Sequence, residues 1–135
     1  MSTLRVTEIQ SNSTAFNTPV RFETSGGTEN GQLAKAWVNF NGQGTVGIRR
    51  DFNVNTITDN GTGDYTVNFS NAMSDANFIA VTMASDGVNV NNRYYRGGKV
   101  RNQTTSSTRM ITGFAQEGLG NFAQDMDYMH TSVFS

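Results

Sequence analysis

His130 is the only histidine in a chain without cysteine, so a nucleophilic triad or a histidine general base would have to be built around it. It stands in an alternating run, 126–134, between Tyr128 and Ser132, which is the setting of a strand residue pointing from one face. A lone histidine there is read as structural. The stretch Asp59-Asn60-Gly61-Thr62-Gly63-Asp64 carries two carboxylates around glycines. Hard cations need several converging oxygens, and the segment lacks the bidentate glutamate that closes a calcium loop. Asparagine, aspartate and glycine serve a β-turn equally well, so a turn is expected. Asp125 and Asp127 would lie on one strand face about 7 Å apart, a spacing that paired carboxylates could use. Nothing else in the sequence supports a glycosidase. The expectation is a protein that is not an enzyme, with no catalytic, cofactor-binding or metal-ligating residues and no cofactor. Without cysteine, disulfides and thiolate metal sites are excluded outright.

One cluster could make contacts. Arg93, Tyr94, Tyr95 and Arg96 are followed by Lys99 and Arg101. Tyrosine and arginine are favoured at binding hot spots because both present large, partly polar area. Such a cluster suits a receptor, a glycan or a subunit interface, and equally the end of a strand with solvated charges. Nucleic acid is disfavoured, because Asp86 is near and the formal net charge is −1.

The elements that would position these residues are strands. Leucine, a strong helix former, occurs only at Leu4, Leu33 and Leu119, while threonine, asparagine and glycine are abundant. In 33–40, Ala34, Ala36, Val38 and Phe40 share one face and Lys35, Trp37 and Asn39 the other. The residues 41–44 form a hairpin turn, 45–49 return, and 52–58 alternate again. Within 65–69, Tyr65, Val67 and Phe69 point inward and Thr66 and Asn68 outward. The residues 71–76 form a polar connection. The nearly continuous apolar run 78–84 predicts a central strand buried on both faces. The residues 85–92 are loop, 93–96 a short strand or loop tip, 97–107 polar, 108–114 a strand, 119–124 loop and 126–134 the last strand. Short, evenly spaced strands indicate a sandwich or a barrel, and the expectation is an all-β antiparallel β-sandwich, jelly-roll-like, over 32–135.

The residues 1–31 differ. Two short strands, near 4–9 and 20–23, are followed by a glycine-rich linker or open loop at 25–31. So few apolar residues cannot fold alone. This segment is read as an extended β arm that needs the body or copies of itself. Few lysines guard the strand edges, so edges must be covered by subunit packing or closure. The N-terminus lacks the apolar core of a signal peptide, and no run approaches the roughly 20 apolar residues of a membrane span, so membrane insertion is not expected.

The stretch Ala34-Lys35-Ala36-Trp37-Val38-Asn39-Phe40-Asn41-Gly42, with Gly44-Thr45-Val46, Ile48-Arg49, Phe52-Asn53-Val54 and 57–69, resembles a module of tail-fibre and other virion proteins of marine and cyanobacterial tailed phages. The opening ten residues are also similar to the start of such proteins. The resemblance covers about 1–84 and is most specific over 34–69; beyond 85 the chain departs from it. It implies a β-rich, usually trimeric protein located in the virion and made in the host cytoplasm. Three arms would bury Leu4, Val6, Ile9, Phe16 and Phe22 around an axis, for trimerisation or virion attachment. The loops of 85–107 would then meet a host-surface glycan or protein through Arg93, Tyr94, Tyr95, Arg96 and Arg101. The alternative is a head decoration or cement protein that binds the capsid shell. Partners are thus further copies of the chain and other virion proteins, not nucleic acid.

Overall fold

A computed structural model describes residues 20–24, 27–31, 33–85, 94–116 and 120–135. The chain divides into two compact units, 1–33 and 34–135. In the first, β1 (Val20–Thr24) and β2 (Gly27–Gly31) pair antiparallel, from Val20 opposite Gly31 to Thr24 opposite Gly27. The segment expected as an open linker therefore supplies a strand. The positions Leu4, Val6, Ile9 and Phe16 lie outside the described residues. Phe22 lies in β1 opposite Glu29, with its side chain outside the description.

The second unit is all-β: its described residues form two antiparallel sheets and no helix. One sheet contains β3 (Ala36–Asn41), β4 (Gly47–Phe52), β7 (Ile79–Ser85) and β11 (Tyr128–Phe134), in the order β4-β3-β11-β7. The other contains β5 (Val54–Gly61), β6 (Asp64–Phe69), β8 (Tyr94–Thr104), β9 (Ser107–Gln116) and β10 (Gly120–Ala123). Strand β9 is its hub. β8 runs along one edge of β9, while β6 and β10 share the other edge.

Alternation places the core. Ala36, Val38 and Phe40 of β3 and Met129, Thr131 and Val133 of β11 point inward from one sheet. Tyr65, Val67 and Phe69 of β6 and Thr108, Met110 and Thr112 of β9 point inward from the other. Phe40 meets Tyr65 edge to face across the layers, with ring centroids 5.4 Å apart. One shared core between two sheets makes the unit sandwich-like. Met73, in the connection read as polar, and Met126, expected in the last strand but lying in the connection before β11, are also buried there. Methionine's flexible thioether fills such irregular gaps.

Four features depart from the sequence pattern. The run 78–84 is not a central strand. β7 ends its sheet, and Ile79, Val81 and Met83 face outward and are exposed. The region 97–104 is strand rather than polar loop, and Gly120–Ala123 is strand β10. The run 52–58 breaks at Asn53, whose φ of 56° is left-handed. Asparagine tolerates that conformation better than other residues with a Cβ. Its side-chain amide donates to the carbonyls of Lys35 and Asn71, and its Oδ1 accepts from the Asn71 amide, at 3.0, 3.1 and 2.7 Å. The corner where the chain changes sheets is therefore satisfied.

Candidate functional site

The outer face of the β5-β6-β9-β8 layer is an ordered polar surface. Asn68 on β6 donates through Nδ2 to the hydroxyls of Thr56 and Thr58 on β5, at 3.1 and 3.0 Å. Asn60 Nδ2 donates to Thr66 Oγ1 at 2.9 Å. Each amide thus ties two strands and holds the hydroxyls in fixed places. These residues alternate with the core positions Val67 and Phe69, so the pleat alone turns them outward. Outward-facing Thr66 and Asn68 were legible in the sequence; their partners on β5 were not.

The array continues into charge. Arg109 on β9 donates Nε and Nη2 to the two carboxylate oxygens of Asp64, at 2.7 and 2.6 Å. This fork-to-carboxylate pair lowers the Asp64 pKa below its ordinary value. The Arg109 hydrogen bond is the largest cause, opposed by burial and assisted by the charges of Arg109 and Arg101. Arg101 lies 3.7 Å from the same carboxylate. It is the extra residue of a bulge between Val100 and Asn102, a device that re-aims a side chain from a regular ladder. Lys99, opposite Ile111, is exposed next to it. A carboxylate held ionised beneath two guanidiniums, beside a grid of amides and hydroxyls, can donate and accept hydrogen bonds across a flat surface.

The positions singled out from the sequence separate. Arg101 belongs to this face. Tyr94, Tyr95 and Arg96 lie at the start of β8 opposite Gln116, Ala115 and Phe114, in a strand rather than a loop tip, with their side chains outside the description. Arg93 lies outside the described residues. Asp64 and Arg109, which complete the charged group, were missed. Their cross-strand contact spans 45 residues of sequence, and no local pattern signals it.

The other chemical candidates are engaged elsewhere. Asp59 Oδ1 accepts the amide of Gly61 at 2.9 Å, so Asp59-to-Asp64 is the β5–β6 turn. Asp125 does not lie in a strand beside Asp127. Its Oδ1 accepts from Tyr65 OH and Gly63 N, at 2.6 and 2.7 Å, because the connection before β11 folds over the β5–β6 turn. His130 is exposed on the outer face of the four-stranded sheet, in register with Asn39 and Met83. Among the described residues, no group of three or more metal-ligating side chains converges, and no helix is long and apolar enough to cross a membrane. No protein family, curated protein or solved structure matches the chain.

Proposed function

We propose that the chain is a non-enzymatic structural protein of a phage particle, a homotrimeric tail fibre or knob that turns its polar β5-β6-β9-β8 face to the host surface. The single observation that carries the contact role is the prearranged Asn-Thr-Asp-Arg array. Its side chains are already fixed by mutual hydrogen bonds, so binding a hydroxyl-rich glycan orders little and costs little rotamer freedom. Arg101 and Lys99 at one margin add charged donors. The particle location rests on the resemblance over 34–69. That stretch corresponds to β3 through β6, two strands of each sheet rather than one hairpin. The arm of residues 1–31 holds the subunits to one another or to the particle.

Particle reconstruction with labelled protein tests the location. Density at the tail tip in a few dozen copies is expected; hundreds of copies over the shell would replace the fibre with the decoration protein. Purified protein should block phage adsorption to host cells, and Arg101→Glu should weaken that block. Undiminished adsorption at saturating protein would remove the host-contact role.

A further inference from the structure

The outer face of β4-β3-β11-β7 has the opposite chemistry. Strand register sets Phe52, Trp37, Ser132 and Val81 in one row across the sheet, with Asn39, His130 and Met83 in the next. Ile79, Val81 and Met83 are 65 %, 50 % and 66 % exposed, and Trp37, Phe52 and Tyr128 are exposed as well. Single surface hydrophobics need no explanation, but here Ile79, Val81 and Met83 line β7 while Trp37 and Phe52 stand side by side across the sheet, with only Ser132 and His130 of β11 between the two groups.

We infer that this face is the surface through which copies of the chain pack on one another, sheet against sheet. The inference rests on the assembly reading above and adds a second contact to it: this face pairs two copies about a two-fold axis, apart from the arm contact that makes the trimer. Three observations select that partner. First, area: the six side chains expose on the order of 600 Å² together, given the size of buried aromatic and aliphatic groups. Two copies would then bury about 1,200 Å², the lower bound of a standard interface before its rim is counted. Second, charge: β7 and β11 carry no lysine, arginine, aspartate or glutamate. The cations that alternation puts on or beside this face are Lys35, just before β3, and Arg49 and Arg50 on the β4 margin. Arg49 is already committed to the carbonyls of Phe40 and Asp127 and lies over the Tyr128 ring at 4.7 Å. A nucleic acid or an anionic lipid surface has little to pair with here. Copies of a chain with net charge −1 barely repel each other. Third, shape: the face is a bare sheet, and a sheet is complementary to another sheet at a spacing of about 10 Å. The same chain already uses this mode internally.

Trp37 is the chain's only tryptophan, so its emission reports on this face directly. The full chain is followed through a dilution series by sedimentation velocity and by acrylamide quenching of Trp37. The expected result is an oligomer with shielded Trp37 that dissociates and becomes quenchable at the same concentration. Val81→Glu and, independently, Met83→Lys should raise the dissociation constant at least 100-fold with unchanged far-ultraviolet circular dichroism. Ala72→Glu, on an exposed connection, should leave it unchanged. A wild-type chain that is monomeric throughout the series would overturn the inference, whether Trp37 is open or covered by the chain's own residues. So would an oligomer that persists in both variants. If the protein is still found in particles, an oligomer that persists in both variants removes only the interface, and a monomeric chain removes the interface and the trimer but leaves the particle location; if it is absent from them, the particle reading falls separately.

Discussion

Tyr65→Phe removes one oxygen and keeps the ring, so it isolates what the phenol contributes. The ring is fully buried, and its hydroxyl lies 2.7 Å from the carbonyl of Gly42 and 2.6 Å from Asp125 Oδ1. Gly42 belongs to the β3–β4 turn, Gly63 (which also donates to Asp125) to the β5–β6 turn, and Asp125 to the connection before β11. The β3–β4 turn and the connection before β11 therefore meet at one hydroxyl, and the β5–β6 turn joins them through Asp125. Burial, and after it the Asp125 hydrogen bond, raise the phenol pKa well above its ordinary value, so the group stays protonated and acts as donor. Its single hydrogen serves two acceptors, and the variant leaves both short of it. Losing a buried hydrogen bond to a charged group costs about 1.5–3 kcal/mol. Because Asp125 keeps the Gly63 amide, about 2 kcal/mol is the expected loss here. For 135 residues at about 2.1 cal/mol/K each, the unfolding entropy is roughly 0.3 kcal/mol/K, and Tm falls by about 7 °C.

The assay is thermal and urea unfolding at one fixed protein concentration, because self-association shifts apparent stability. Asp125→Ala and the double variant complete a cycle, in which Tyr65 and Asp125 should be coupled by about 1 kcal/mol or more. A Tyr65→Phe protein within about 0.5 kcal/mol of wild type, the range of an ordinary surface change, would refute the meeting of the β3–β4 turn and the connection before β11 at this atom. So would additive single variants.

Two further outcomes follow from polar groups in the same sheet as Tyr65. The Thr108 hydroxyl is buried without a hydrogen-bond partner among the described residues, so Thr108→Val, which keeps the branched shape, should raise stability by about 1 kcal/mol in urea unfolding; a loss of that size would show that the hydroxyl is satisfied. Asp64 has a folded pKa below its ordinary 3.8, so its pairing with Arg109 stabilises fully above that value and is lost as the pH falls through the depressed folded value. Wild type should thus lose more stability on acidification below pH 3.8 than Asp64→Asn does, with a difference at neutral pH of no more than about 1 kcal/mol; parallel pH curves would contradict the pair.

Strand identity was legible wherever one side of a strand meets the core and the other does not. Residues 36–40, 64–69 and 128–134 alternate cleanly, and each lies in an interior strand of its sheet. The residues 78–84 misled because the pattern of a strand buried twice is the same as that of an edge strand with an apolar outer face. Only the neighbours distinguish the two, and β7 has β11 on one side and no strand on the other among the described residues. The polar site was half legible: Thr66 and Asn68 announce an outward face. The Asp64–Arg109 pair and the Arg101 bulge depend on β9 lying between β6 and β8, which is a fact of strand order that no local sequence encodes.

The exposure of Phe52 follows from the same topology rather than from a failure of packing. In an unbroken strand, Phe52 and Val54 would share a face, because side chains repeat every second residue. Asn53 interrupts that rule. Its left-handed φ of 56° sends the chain from one sheet to the other, so Val54 enters the core while Phe52 stays outside, in register with Trp37. A single backbone position thus assigns one aromatic residue to the exterior of the four-stranded sheet and begins the strand whose outer threonines build the polar array. The two faces of this molecule differ in chemistry because the chain crosses between layers at a residue that can hold that conformation with its own amide fully bonded.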